Sequence, residues 1–332
     1  MNCFLTGALR FIGQILAERI SAEGHQVRCL VRSPGKFTSL ASLPGVTAVP
    51  GDLEDISALE KGVSGCDTVF HLAAFAKPWS KDKSIPYRVN VTGTENLLKV
   101  SLGAGVKRFV FTSSAAVIGP SPGVDPIDET FPRSVPFFNE YEETKAAAEK
   151  LVMAYCRDGM ETVIVNPPRV YGPGPVNESN SLTKMIRLYH LGRWRILPGD
   201  GTCIGCYVLV DDVVNGHILA ALRGKPGHRY ILGGENLTFR QFFDTLAGVT
   251  GSRHWLLPLP VGMMVAVAKV MAWQASVTGI PPLITSQWVK KYLNHWSLSS
   301  QKAMTDLGYS ITPLREGVKI TLEWLKRNGE VK

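Results

Sequence analysis

Residues 6–13 read Thr6-Gly7-Ala8-Leu9-Arg10-Phe11-Ile12-Gly13. They follow a short β-prone run, Asn2-Cys3-Phe4-Leu5-Thr6, and open a segment in which Phe11, Ile12, Ile15, Leu16 and Ile20 share one helical face. A strand, a glycine turn and an amphipathic helix in that order make a phosphate-binding turn. Gly7 allows the tight turn and Gly13 allows close helix packing. The helix start offers free N–H groups and a partial positive charge. Arg10 stands where the middle glycine of such a turn is expected. Its Cβ and long side chain threaten to crowd a pyrophosphate, unless the guanidinium swings out to a phosphate.

Outward from this turn the chain alternates strands and helices. Strands are expected at 2–6, 26–31, 46–49, 67–70, 107–112 and 162–166, with Gly24, Gly51, Gly65 and Gly105 at the stops. This alternation predicts an α/β fold, a doubly wound parallel sheet of Rossmann type with right-handed crossovers. After Tyr171-Gly172-Pro173-Gly174 the pattern loosens, and 206–223 reads as a return to the first domain. The expected division is a dinucleotide-binding domain of residues 1–174 and 206–223. A smaller, interleaved substrate domain takes 175–205 and 224–332.

The end of the second strand bears on the cofactor. A free ribose 2′-hydroxyl calls for an acid about 20 residues past the turn, yet no acid lies between Glu23 and Asp52. Arg32 stands at the strand end instead, with Arg28 and Lys36 nearby. A guanidinium makes two charge-assisted bonds to a phosphate. NADP(H) is therefore favoured over NAD(H).

Thr112-Ser113-Ser114-Ala115-Ala116-Val117 sets hydroxyls just past the fifth strand, at the carboxyl edge where such sheets bind ligands. Tyr141 and Lys145 are spaced i, i+4 on one helical face. Hydride transfer to a carbonyl needs a proton donor, and a phenol is a weak acid unless a nearby cation assists it. In this reading Tyr141 transfers the proton, Lys145 lowers its pKa and reaches a ribose, and Ser114 orients the substrate oxygen. Pocket-wall candidates are Phe75, Trp79, Phe137, Tyr171, Trp194 and Met263, each equally explained by core packing.

Taken together these segments resemble the extended short-chain dehydrogenase/reductases, the NAD-dependent epimerase/dehydratase family, over nearly the whole chain. Further matches are Gly51-Asp52-Leu53, His71-Leu72-Ala73-Ala74, Asn90-Val91-Thr92-Gly93-Thr94, Pro167 to Gly174 and Val210-Asp211-Asp212-Val213. The resemblance implies that Asp52 and Leu53 border the adenine and that Ala73 and Ala74 line the cofactor cleft. It places Pro167 and Val170 along the nicotinamide, and counts Asn90, Thr112, Ser113, Tyr141 and Lys145 with the cofactor residues. It implies Ser114, Tyr141 and Lys145 as the catalytic set. It also implies a homodimer built on helices near 85–104 and 139–158.

Within the family, nucleotide-sugar enzymes usually carry an arginine at the position of Gly205, with Arg193 and Arg195 nearby as substitutes here. The stretches 71–79, 229–236, 278–284 and 295–297 instead resemble the dihydroflavonol reductase-like and farnesol dehydrogenase-like branch. That implies a small, largely apolar or amphipathic ketone, aldehyde or alcohol. The alternatives are a nucleotide-sugar epimerase/dehydratase and an inactive dinucleotide-binding sensor, the latter supported only by Arg10.

The net charge of +8 resides in residues 173–332, because the first 172 are balanced. Residues 245–305 contain no Asp or Glu, and within them Val261–Ile280 is mostly apolar. The segment 255–295 is thus a candidate for peripheral contact with an anionic membrane or for an anionic substrate. No recognised module supports nucleic-acid binding. Isolated cysteines and a strand at the first residues suit a cytoplasmic protein with a small-molecule substrate. Cys203 and Cys206 lack the partners a metal site needs.

Overall fold

The computed structural model describes residues 1–76, 82–176, 180–278, 289 and 291–331. Its centre is a seven-stranded sheet of β1 (Asn2–Thr6), β2 (Gln26–Val31), β3 (Val46–Pro50), β4 (Thr68–His71), β5 (Arg108–Thr112), β6 (Glu161–Asn166) and β10 (Arg229–Ile231). The spatial order is β10-β6-β5-β4-β1-β2-β3, and every neighbouring pair is parallel. Parallel strands need crossovers that cover both faces, so their residues are apolar without alternation. Phe4, Leu5, Val69, Phe70 and Phe109–Phe111 are accordingly sealed from solvent.

One face of the sheet is covered by the helices Phe11–Ala22 and Val210–Arg223, through Leu16, Ala17, Ile20, Val213 and Val214. The other is covered by Ile56–Val63, Gly93–Gly103 and Glu140–Arg157, through Leu59, Val63, Leu97, Leu98, Ala148 and Val152.

Two expectations about the segments after residue 205 shift. The seventh strand, β10, lies beyond residue 223, where the dinucleotide-binding segment was expected to end. It pairs in parallel with β6 and forms the edge of the sheet. Meanwhile β9 (Ile204–Leu209) pairs with β7 (Arg169–Tyr171) and β11 (Glu235–Thr238) in a separate three-stranded sheet. Within 206–223 it is the helix Val210–Arg223 that packs on the central sheet. The remaining strands, β8 (Ile196–Pro198) and β12 (Leu257–Leu259), form a two-stranded ribbon.

A second core holds the smaller unit together. Tyr171, Tyr189, Tyr207, Phe239, Phe242, Phe243 and Leu322 form its centre. Tyr207 stacks on Phe242 at 4.6 Å between ring centroids. The helix Val261–Thr278 buries Met264 and Ala268 against Val289 and exposes Met263, Val267, Lys269 and Val270. Among the described residues no helix is long and apolar enough to cross a membrane. Part of the 255–295 segment, part of the 278–284 stretch, and Trp79 lie outside the described residues.

Candidate active site

The chain runs from β1 to one side of the sheet and from β4 to the other, so a crevice opens between their carboxyl ends. Gly7 ends β1 with φ of +82°, and a Cβ there would stand 2.8 Å from the Ala73 nitrogen beyond β4. Gly13 is equally constrained, since its Cβ would fall 2.2 Å from the Gly7 oxygen. Arg10 is different. Its backbone is extended (φ −105°, ψ 164°), a conformation open to any residue, and its side chain is exposed. Its N–H donates to the Gly7 oxygen at 2.9 Å. The missing middle glycine therefore strains nothing in the turn. No side chain caps the helix Phe11–Ala22, so the first-turn N–H groups around Phe11, Ile12 and Gly13 remain available to an anion.

A buried hydrogen-bond chain locks the two loops of this crevice. The Thr94 hydroxyl donates to the Asn90 oxygen at 2.7 Å, so it must accept the Nε2 proton of His71 at 2.9 Å. His71 Nδ1 is then an acceptor for the Thr6 hydroxyl at 2.7 Å, and that hydroxyl accepts the Ala73 N–H at 3.1 Å. Burial, reinforced by the charge of Lys145, holds the His71 pKa well below its usual value, which keeps the ring neutral.

The expected cofactor residues divide into two groups. Ala73, Ala74 and Asp52 are half-buried around the crevice. Arg32 is exposed one residue past β2, with no hydrogen-bond or ion-pair partner among the described residues. Arg28 turns away and donates to the carbonyls of Gly62 and Ser64. Ser113 is buried and its hydroxyl has no partner among the described residues.

The other group acts from behind. Asn90, in a widened turn at 88–92, accepts the Phe75 N–H at 2.7 Å and donates to Phe75 O and Thr144. With its amide so engaged, it holds the loop instead of facing the crevice. The Thr112 hydroxyl bonds His217 at 2.8 Å, beneath the sheet edge. Leu53 is buried where a Cβ on Gly93 would strike it. Pro167 is buried, its oxygen accepting the Ala115 N–H, and Val170 packs against the central core.

The chemical groups converge at the ends of β5 and β6. Ser114 caps the short helix Ala115–Ile118 by accepting the Ala116 N–H at 3.2 Å, and its hydroxyl hydrogen-bonds the Tyr141 phenol. Asn139 caps the helix Glu140–Arg157, whose acidic first turn suits the helix dipole. That cap sets Tyr141 and Lys145 on the face toward β5. Lys145 is buried, donates to the Thr112 oxygen at 2.7 Å and lies 4.4 Å from the centre of the Phe111 ring. Burial lowers its pKa to about 7, opposed by Glu149. Tyr141 moves the other way: burial raises it to about 12, with the Ser114 hydroxyl pulling down and Glu142 pushing up. Enclosure dominates the phenol, and Lys145 is not among the groups that act on it.

Beside Tyr141 lies a group the sequence reading missed. Glu142 is wholly enclosed and pairs with Arg133 at 2.9 Å and Lys291 at 3.4 Å. Arg169, on β7, sits over the rings of Tyr207, Phe239 and Tyr292. A Cβ at Gly205 would stand 2.5 Å from its Nη1, so Arg169, and neither Arg193 nor Arg195, fills the space at position 205. Arg193 and Arg195 are both exposed. A usable signal was present: strand alternation puts Arg169 on the same side as Tyr171 and opposite Val170. Among the pocket-wall candidates, Tyr171 is a fully buried core residue packed against Gly317, while Met263 is exposed. Phe137 lies 4.3 Å beneath the Arg133 guanidinium.

The open helix start, the glycine-tight turn and the unpartnered Ser113 hydroxyl fit a bound dinucleotide. Comparison with known proteins agrees. The chain is 31% identical over 334 residues to a putative dihydroflavonol 4-reductase of Synechocystis sp., covering 99% of this chain and 96% of that one. It is 30% identical over 313 residues to a 4-hydroxy-2-methyl-3-oxo-4-farnesyl-3,4-dihydroquinoline-1-oxide ketoreductase of Stigmatella aurantiaca, covering 93% and 92%. The structure of MoeE5 in complex with UDP-glucuronic acid and NAD superposes with a TM-score of 0.77 at 26% identity, covering 99% of this chain and all of that one. The model of the NAD dependent epimerase/dehydratase family matches residues 3–233, and the chain belongs to that family.

Proposed function

We propose that the protein is an NADP(H)-linked oxidoreductase that interconverts a ketone or aldehyde and an alcohol on an apolar or amphipathic substrate. The observation that carries this reading is the convergence of Ser114, Tyr141 and Lys145 at the carboxyl edge of the sheet, beside the crevice between β1 and β4. A bound nicotinamide supplies or takes up the hydride. The Ser114 hydroxyl, hydrogen-bonded to the phenol, stands where both groups meet a carbonyl oxygen. Tyr141 remains protonated at neutral pH and so delivers a proton to that oxygen as the C=O bond gains hydride at carbon. Lys145 uses one donor on Thr112 and has a further N–H for a ribose hydroxyl. The farnesyl-bearing ketone named for the Stigmatella relative supports an apolar substrate.

Tyr141→Phe is the test. It should lower kcat by about 10²–10⁴-fold while leaving dinucleotide affinity unchanged. Full retention of activity would remove Tyr141 from the chemistry. A nucleotide-sugar substrate is the second reading, supported by the UDP-glucuronic acid bound to MoeE5.

A further inference from the structure

Next to Tyr141 in the chain, Glu142 stands with Arg133 and Lys291, and the charge of Arg169 reaches Lys291. Arg133 and Lys291 already share Glu142. Arg169 has no carboxylate: no ion pair reaches it among the described residues. Its Nη1 donates to the Tyr207 hydroxyl at 3.4 Å, while Nη2 is shielded from solvent and meets no acceptor among the described residues. Its guanidinium carbon lies 5.0 Å from the centre of the Phe239 ring and 4.9 Å from that of Tyr292.

Aromatic faces offset part of the cost of enclosing a guanidinium. They do not satisfy an N–H, and a buried charge-bearing donor without an acceptor is rare in folded proteins. The group is also close enough for its charge to act on Lys291 and Tyr292. The four side chains therefore carry a surplus of two positive charges, and the open donor edge belongs to Arg169, among Phe239, Tyr292 and Tyr207. An anionic acceptor on an apolar body would complete this arrangement. One open edge suits a compact carboxylate better than a diphosphate, which needs several donors.

We propose that Arg169, with Lys291 beside it, binds the carboxylate of the substrate, so that the enzyme acts on an apolar keto or hydroxy acid. This rests on the oxidoreductase reading above and names the substrate class of the same cleft.

The test titrates decanoate, methyl decanoate and UDP into the full-length protein saturated with the better-bound of NADPH and NADH, followed by tryptophan fluorescence. Wild type should bind decanoate about 10–100-fold more tightly than the ester, the range of a hydrogen bond to a charged group. Arg169→Gln should bring the two within about threefold with dinucleotide affinity unchanged. Equal binding of acid and ester by wild type overturns the proposal, whether or not the variant folds. Tighter binding of UDP than of decanoate, lost in Arg169→Gln, overturns it in favour of a diphosphate. The binding readout is independent of turnover. Acid selectivity without reduction of any keto acid would leave the anion site standing and sink the oxidoreductase reading. Equal reduction of keto acids and their esters would do the reverse.

Discussion

The guanidinium of Arg169 occupies the volume that any side chain at Gly205 would need: a Cβ there would stand 2.5 Å from Nη1. It would also stand 2.9 Å from the Tyr207 ring, and Tyr207 faces Arg169 in the β7–β9 register. The arginine end can swing aside, but Tyr207 is fixed by its stack on Phe242. Gly205→Ala should cost about 1–3 kcal/mol through overpacking. Thermal melting should record that loss, and titration should show weaker substrate binding with dinucleotide affinity intact.

The buried Lys145 makes a pH prediction. Its pKa falls from 10.5 to about 7 on folding, so between those values the unfolded chain holds the extra proton. Stability therefore rises with pH across that window, and the full penalty is present below about 7. Lys145→Met lacks this rise. Its melting temperature relative to wild type should be most favourable at pH 6.5 and decline toward pH 9 (window from the same linkage, roughly pH 7 to 10). A constant difference would mean that the amine is not enclosed.

His71 depends on a single acceptor for its Nε2 proton. Thr94→Val removes that acceptor and strands a buried donor, at a cost of about 1–3 kcal/mol. Because the same chain fixes the Ala73 N–H beside Gly7, weaker dinucleotide binding should accompany the lower melting temperature.

Arg32 stands alone past β2, which gives the cofactor prediction. Arg32→Ala should weaken NADPH binding about 10–100-fold and leave NADH within a factor of about two. A wild-type preference for NADH would refute the assignment directly.

Glu142 is the one carboxylate paired with Arg133 and Lys291. Glu142→Gln leaves two enclosed cations uncompensated, which should cost about 3–5 kcal/mol by chemical denaturation. Removing Arg133 in the same chain should recover part of that loss.

What could be read in advance was local. Gly7, Gly13 and the apolar face of residues 11–20 lie within one turn and one helix, so their spacing alone announces a phosphate-binding turn. The i, i+4 spacing of Tyr141 and Lys145 and the strand–helix alternation are local in the same sense. Arg10 shows the limit of such reading. A motif counts it as a missing glycine, yet its extended backbone needs no glycine. Asn90 and Thr112 show the same limit, because a motif records position and cannot say which way an amide or hydroxyl turns.

The charge excess of the second half was visible from composition, but its use was not. Glu142 and Lys291 are 149 residues apart and touch only because the 291–296 segment folds back over the helix carrying Tyr141. Arg169 meets Tyr207, Phe239 and Tyr292 through strand pairing and the packing of a second core. The sequence by itself determined the sheet, the turn and the candidate proton donor, since each follows from periodicity and local backbone geometry. Only the tertiary structure decided that the amine of Lys145 is enclosed, that the phenol is held protonated, and that the Arg169 guanidinium lies among Tyr207, Phe239 and Tyr292 with no carboxylate on it among the described residues. Burial and charge pairing depend on distances between residues remote in the chain.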